Sequence, residues 1–90
     1  MHLYLNGNEI TDLVVPSDIT SVKAGALAGF RYLRTVTIPA SAGTINFQTI
    51  HWCAMNGVID IGGNVSFPYA NLRTLVANEL IVRGNFAGAG

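Results

Sequence analysis

The apolar positions of this chain return in one frame. Ile10, Leu13 and Val15 lead to Pro16 in ITDLVVP, and Leu33, Val36 and Ile38 lead to Pro39 in LRTVTIP, each displaced by the same step. An equal step further along stand Asn56, Ile59, Ile61 and Gly62 in NGVIDIG, with a polar first position and glycine in place of proline. A fourth copy reads Leu72, Leu75, Ala77 and Asn78 in LRTLVAN, after a step about a third shorter. Outside these runs, Ile19 and Val22 stand from Pro16 as Ala42 and Ile45 stand from Pro39, and Ile81 follows Asn78 by three. A fixed period in the twenties with one strand frame per period predicts a solenoid.

The alternation within each run sets its orientation. Val36 and Ile38 fall on one face of a strand and turn inward, while Thr35 and Thr37 turn outward. A lone strand of this length has no lateral hydrogen-bond partners, so the frame predicts about four rungs stacked into a parallel sheet. Proline cannot donate to that ladder, and Pro16 and Pro39 therefore mark where the chain leaves it. Between rungs, KAGALAGFRYL (23–33) and FQTIHWCAMNG (47–57) space their apolar residues for short helical turns on the outer side. Asn6-Gly7 between two alternating segments predicts a tight hairpin capping the first rung. The reading is one α/β domain over 1–90, with a hairpin cap at 1–10 and units starting near 10, 33, 56 and 72. The tail NFAGAG (85–90) reads as small and flexible.

The stretch ITDLVVPSDITSVKAGALAGFRYLRTVTIPASAGTI resembles the BspA-like bacterial leucine-rich repeats, whose pattern runs roughly L-x-x-(I/V)-x-I-P-x-x-(V/I)-x-x-I. Leu33, Val36, Ile38, Pro39 and Ile45 match it, as do Ile10, Leu13, Val15, Pro16, Ile19 and Val22. The opening LYLNGNEITDL also resembles the start of such arrays. The likeness covers 1–45 well, 46–62 loosely, and 63–90 mainly through LRTLVA. The family's A-F pair is replaced by Ala26-Leu27 with Phe30 nearby, and HWCAMNG has no counterpart. The resemblance implies a curved solenoid without catalysis, acting in adhesion or protein contact at bacterial surfaces. A cell-surface or secreted setting is implied if the chain is a fragment of a typical member, although MHLYLNGNE does not read as a signal peptide.

Composition changes the picture at one point. The chain is 50% hydrophobic and only 11% charged, with a mean hydropathy of +0.41. A ninety-residue domain buries only about 60% of its unfolded surface, so some apolar surface is expected to meet a partner. Five basic and five acidic residues are scattered without a basic stripe, which argues against nucleic acid as a partner and against a polybasic membrane contact. No apolar run is long enough for membrane insertion.

Chemical candidates are sparse. His51 and Cys53 in HWC invite a metal or thiol reading, but zinc needs three or four ligands and His2 is remote in sequence. A cysteine nucleophile needs a base and an oxyanion site, and only His51 is near. The simpler reading buries Cys53 where the first unit has Phe30, packs Trp52 and leaves His51 at the surface. Glu9, Asp12, Asp18, Asp60 and Glu79 are dispersed, and IGGNVS and GNFAGAG fit no phosphate loop. No catalytic residue, metal or cofactor is expected.

What remains is the outward face of the rungs. Asp12, Thr35, Val58 and Thr74 form one expected row, and Val14, Thr37, Asp60 and Val76 the next, with Arg34 and Arg73 beside the frame. Solenoids commonly bind along such a face. The expectation is a non-enzymatic protein-binding or adhesion module. The alternative is a structural unit that self-associates into a homo-oligomer through open solenoid ends or a sheet edge.

Overall fold

The computed structural model describes residues 1–67 and 72–88. Its strands are β1 (Leu3–Leu5), β2 (Asn8–Ile10), β3 (Asp12–Val14), β4 (Thr35–Ile38), β5 (Ile45–Asn46), β6 (Val58–Ile61), β7 (Val65–Phe67), β8 (Glu79–Val82) and β9 (Phe86–Gly88). β1 and β2 pair antiparallel about Asn6 and Gly7. Both turn residues have positive φ, 53° and 82°, the backbone of a type I′ turn that asparagine and glycine tolerate best.

The other strands form two parallel sheets, in the orders β3-β4-β6-β8 and β5-β7-β9. Each turn of the chain from β4 onward thus gives one strand to each sheet. In the larger sheet Leu13 pairs with Val36, Val36 with Ile59, and Ile59 with Leu80. The entries to the strands are stitched in the same way. Arg34 and Thr35 both donate their N–H to the Thr11 carbonyl, at 2.6 and 3.2 Å, and Asn78 and Glu79 both donate to the Gly57 carbonyl, at 2.8 and 3.2 Å.

The strand exits show what proline does. Arg83 N–H donates to the Ile61 carbonyl at 2.9 Å, and Gly62 N–H donates to the Ile38 carbonyl at 2.7 Å. Pro39 occupies the same place one strand earlier and has no N–H to give. Both prolines then open the same tight turn: Ile19 N–H reaches the Pro16 carbonyl at 3.1 Å, and Ala42 N–H reaches that of Pro39 at 3.1 Å.

The core lies between the two sheets. Val36, Ile38, Ile59 and Ile61 from the larger sheet meet Ile45, Val65 and Phe67 from the smaller, with Leu33, Phe47, Ile50, Cys53 and Ala54 filling the returns. These belong to the middle of the stack. At its two ends Leu13 and Val15, and Leu80 and Val82, are only half-buried, because among the described residues each has a neighbouring strand on one side alone. Leu3 and Ile10 of the hairpin pack against the core.

Two expectations need correction. The fourth strand is Glu79–Val82, so the last step of the register runs from Val58 to Glu79 and is nearly as long as the steps before it. Leu72–Thr74, which repeats the letters of Leu33–Thr35, is a 3-10 turn instead. The reason is girth: after Ile61 the chain must run through β7 in the opposite sheet and come back. A step from Val58 only as far as Thr74 leaves too little chain for that return. The returns hold the short helical turns expected of them, as turns over 24–29 and a 3-10 helix at Phe47–Ile50, and a further 3-10 turn stands at Ala40–Ala42. The tail is not loose as far as it is described, because Phe86–Gly88 pairs with β7; residues 89–90 lie outside the described residues.

Close stacking of coils leaves no room at Gly57, where a Cβ would press into the Arg34 carbonyl of the preceding coil. Gly57→Ala is expected to cost about 2 kcal/mol from overpacking, and Ile59→Ala, at a fully buried position, about 3 kcal/mol from the cavity. Urea unfolding of each variant measures both.

Candidate protein-binding face

Alternation along β3, β4, β6 and β8 turns every second side chain away from the core. In register, the outward positions are Asp12, Thr35, Val58 and Glu79 in one row and Val14, Thr37, Asp60 and Ile81 in the next. Val14 is 67% exposed. Thr37 is exposed, and Thr35, Val58, Asp60 and Ile81 are half-buried by their neighbours across the strands. Among the expected face residues, Asp12, Val14, Thr35, Thr37, Val58 and Asp60 come together here. Arg34 is exposed at the entry to β4.

Arg73, Thr74 and Val76 do not join them. Arg73 and Thr74 lie in the 3-10 turn, and Val76 lies on the return path, where its carbonyl accepts from Asn56 N–H at 3.1 Å. Glu79 and Ile81 take the expected places of Thr74 and Val76. ELIV does keep the apolar-x-apolar frame at Leu80 and Val82, but Leu75 and Ala77 in LRTLVA keep it as well, and the letters do not choose between them.

Cross-strand contacts organise the face. Thr35 Oγ1 donates to Asp12 Oδ1 at 2.8 Å. Arg83 closes a two-pronged pair on Asp60, with Nε to Oδ1 at 2.9 Å and Nη2 to Oδ2 at 2.7 Å. The planar guanidinium matches both carboxylate oxygens. Hydrogen bonding from Arg83, with its positive charge, holds the Asp60 carboxyl below its ordinary range.

Beside the face, Arg31, Tyr32, Leu33, Arg34, Met55 and Asn56 line an open cleft of about 400 Å³. His2 lies flat on Tyr32, with ring centroids 4.1 Å apart, and its Nδ1 is 2.6 Å from Glu9 Oε2. The hairpin is thereby tied to the first return. Sequence reasoning missed Arg31, Tyr32 and Met55 as cleft residues, because a period of apolar positions says nothing about where two returns part.

The segment HWC meets the expectation at Cys53 and departs from it at His51 and Trp52. Cys53 is fully buried, and burial pushes its thiol up to about 11. His51 is half-buried rather than at the surface, edge-on to Phe47 at 5.3 Å, with its Nε2 buried and lacking a hydrogen-bond partner among the described residues. Trp52 is 42% exposed. A thiol held protonated in an apolar site is a poor nucleophile. Among the described residues, no three of His, Cys, Asp and Glu converge.

Two measurements follow from these groups. At mildly alkaline pH, native Cys53 is expected to react with a thiol reagent about a hundredfold more slowly than in the urea-unfolded chain, from its lower thiolate fraction and its burial. The Asp60 carboxyl titrates lower in the folded than in the unfolded chain, so the unfolded chain binds more protons on the acid side. Its contribution to stability is present above the unfolded carboxylate range, near pH 4, and is lost as pH falls through the folded value. Asp60→Asn is expected to flatten the acid limb of a Tm-against-pH profile, and high salt to weaken the same limb, since the pair faces solvent. The chain matches no family model, no curated protein and no solved structure.

Proposed function

We propose that this chain is a non-enzymatic protein-binding module, a short leucine-rich-repeat solenoid of the bacterial adhesion type, that works through the outward face of its larger sheet. The observation that carries this reading is the open, in-register pair of rows formed by Asp12, Val14, Thr35, Thr37, Val58, Asp60, Glu79 and Ile81. Aliphatic positions alternate there with carboxylates, threonines and a fixed arginine. Such a mixture lets apolar contact supply affinity while charged and polar groups select the partner. A strand-built face is also stiff, so a partner loses little by ordering it. The repeat resemblance of 10–45 supports the same reading and implies a cell-surface or secreted setting if the chain is a fragment of a typical member.

The test is a selection of displayed peptides or small protein domains against the immobilised chain. Thr37→Arg, at the centre of the face, is expected to weaken selected binders about tenfold or more. Thr44→Arg, exposed on the far side of the Pro39 turn, is expected to leave them unchanged. Binders insensitive to Thr37→Arg, or a selection that returns none, overturn the reading.

A further inference from the structure

β8 is the last strand of the larger sheet, and among the described residues no strand runs along its outer side. Glu79 and Arg83 both send their N–H inward, to the carbonyls of Gly57 and Ile61. The alternation of a parallel ladder therefore turns the N–H and C=O of Leu80 and Val82 to the free edge. Among the described residues nothing takes up these donors and acceptors, and such an edge is a template for another strand.

We propose that this edge pairs with the same edge of a second copy of the chain, antiparallel, about a two-fold axis through Ile81. The register follows from the backbone and the charges together. With Ile81 opposite its symmetry mate, Leu80 stands opposite Val82 of the second copy and exchanges both hydrogen bonds with it, and Val82 does the same with the second copy's Leu80. The edge groups that face outward are the ones this register uses.

The same register places Glu79 opposite Arg83 of the second copy, twice. These are non-hydrogen-bonded positions, where facing side chains approach most closely. Both residues are exposed, and Arg83 is still 60% exposed at its side chain while holding Asp60, so it can accept a second carboxylate. Moving the axis to Leu80 or to Val82 sets Glu79 or Arg83 opposite Ile81, and loses both ion pairs.

Head-to-tail stacking, which would continue the parallel sheet from β8 onto β3 of the next copy, is the alternative. It sets Glu79 beside Asp12, a like-charge contact, and sets Arg83 beside Pro16. It must also contend with the hairpin, whose Leu3 and Ile10 pack at the first coil. The two-fold arrangement instead brings together the half-buried Leu80 and Val82 of both copies and, behind them, the half-buried Leu75 and Ala77. It is closed, and so stops at two.

Sedimentation equilibrium of the ninety-residue chain, from micromolar to millimolar, is expected to show monomer and dimer only. Glu79→Arg faces two arginines with two arginines and is expected to weaken the dimer about tenfold. Ile81→Cys is expected to give a disulfide-linked dimer under mild oxidation, since facing positions of this kind lie within disulfide reach, while Thr37→Cys, two strands from the edge, does not. Circular dichroism of each variant reports retained folding. A monomer at all concentrations, open-ended polymers, a dimer indifferent to Glu79→Arg, or equal cross-linking at Thr37→Cys would each overturn the proposal. None of these readings depends on a partner for the outward face.

Discussion

Lateral pairing of short strands is the constraint on which everything else in this molecule rests. Each rung of the larger sheet is three or four residues long, far too short to persist alone. Its backbone groups are satisfied only by the coil before and the coil after. That requirement fixes the register, and the register places Val36, Ile38, Ile59 and Ile61 inward together. Burial of those side chains then stabilises the pairing that aligned them. Neither contribution exists without the other, which makes the stack cooperative between neighbours.

The same dependence explains why order is uneven along the stack. The two middle coils have neighbours on both sides and hold nearly all of the fully buried residues. Among the described residues the outer coils have one neighbour each, and their inward side chains stay half-exposed. At the first end the chain answers with a hairpin, anchored by Leu3 and Ile10 and tied down by the His2–Tyr32 stack. At the other end β8 and β9 are covered by no strand among the described residues. The high apolar content of so small a chain is thus concentrated where coils meet or where a coil still faces outward.

The return path around His51–Gly57 shows how neighbours hold an unfavourable backbone. Trp52, Ala54 and Asn56 all adopt positive φ, between 52° and 60°, which costs non-glycine residues roughly 1–2 kcal/mol each. The segment is clamped from both sides. Ala54 and Met55 donate to the carbonyls of Phe30 and Arg31 in the coil before, and Trp52 and Asn56 donate to those of Thr74 and Val76 in the coil after. Such strain persists where surrounding bonds over-determine the backbone. It also turns Trp52 outward and Cys53 inward.

How much of this was legible in the residues varies with distance from the strands. The apolar frame at Leu13, Val36 and Ile59 and the Asn6-Gly7 turn are local patterns, each with its physical cause in adjacent residues, and they could be read directly. The outward positions Asp12, Val14, Thr35, Thr37, Val58 and Asp60 follow from that frame by alternation alone. The fourth strand was not legible from letters, because Leu72-Arg73-Thr74 repeats Leu33-Arg34-Thr35 while Glu79–Val82 is what reaches the sheet. Only the circumference of a coil, set by the distance across two sheets and back, decides between them. The cleft beside Arg34 and the Asp60–Arg83 pair likewise arise between coils, whereas the burial of Cys53 follows from its place one step after Phe30. Local sequence determined which residues can form a rung; tertiary stacking decided which of them do, because a rung exists only where a neighbour stands to receive its hydrogen bonds.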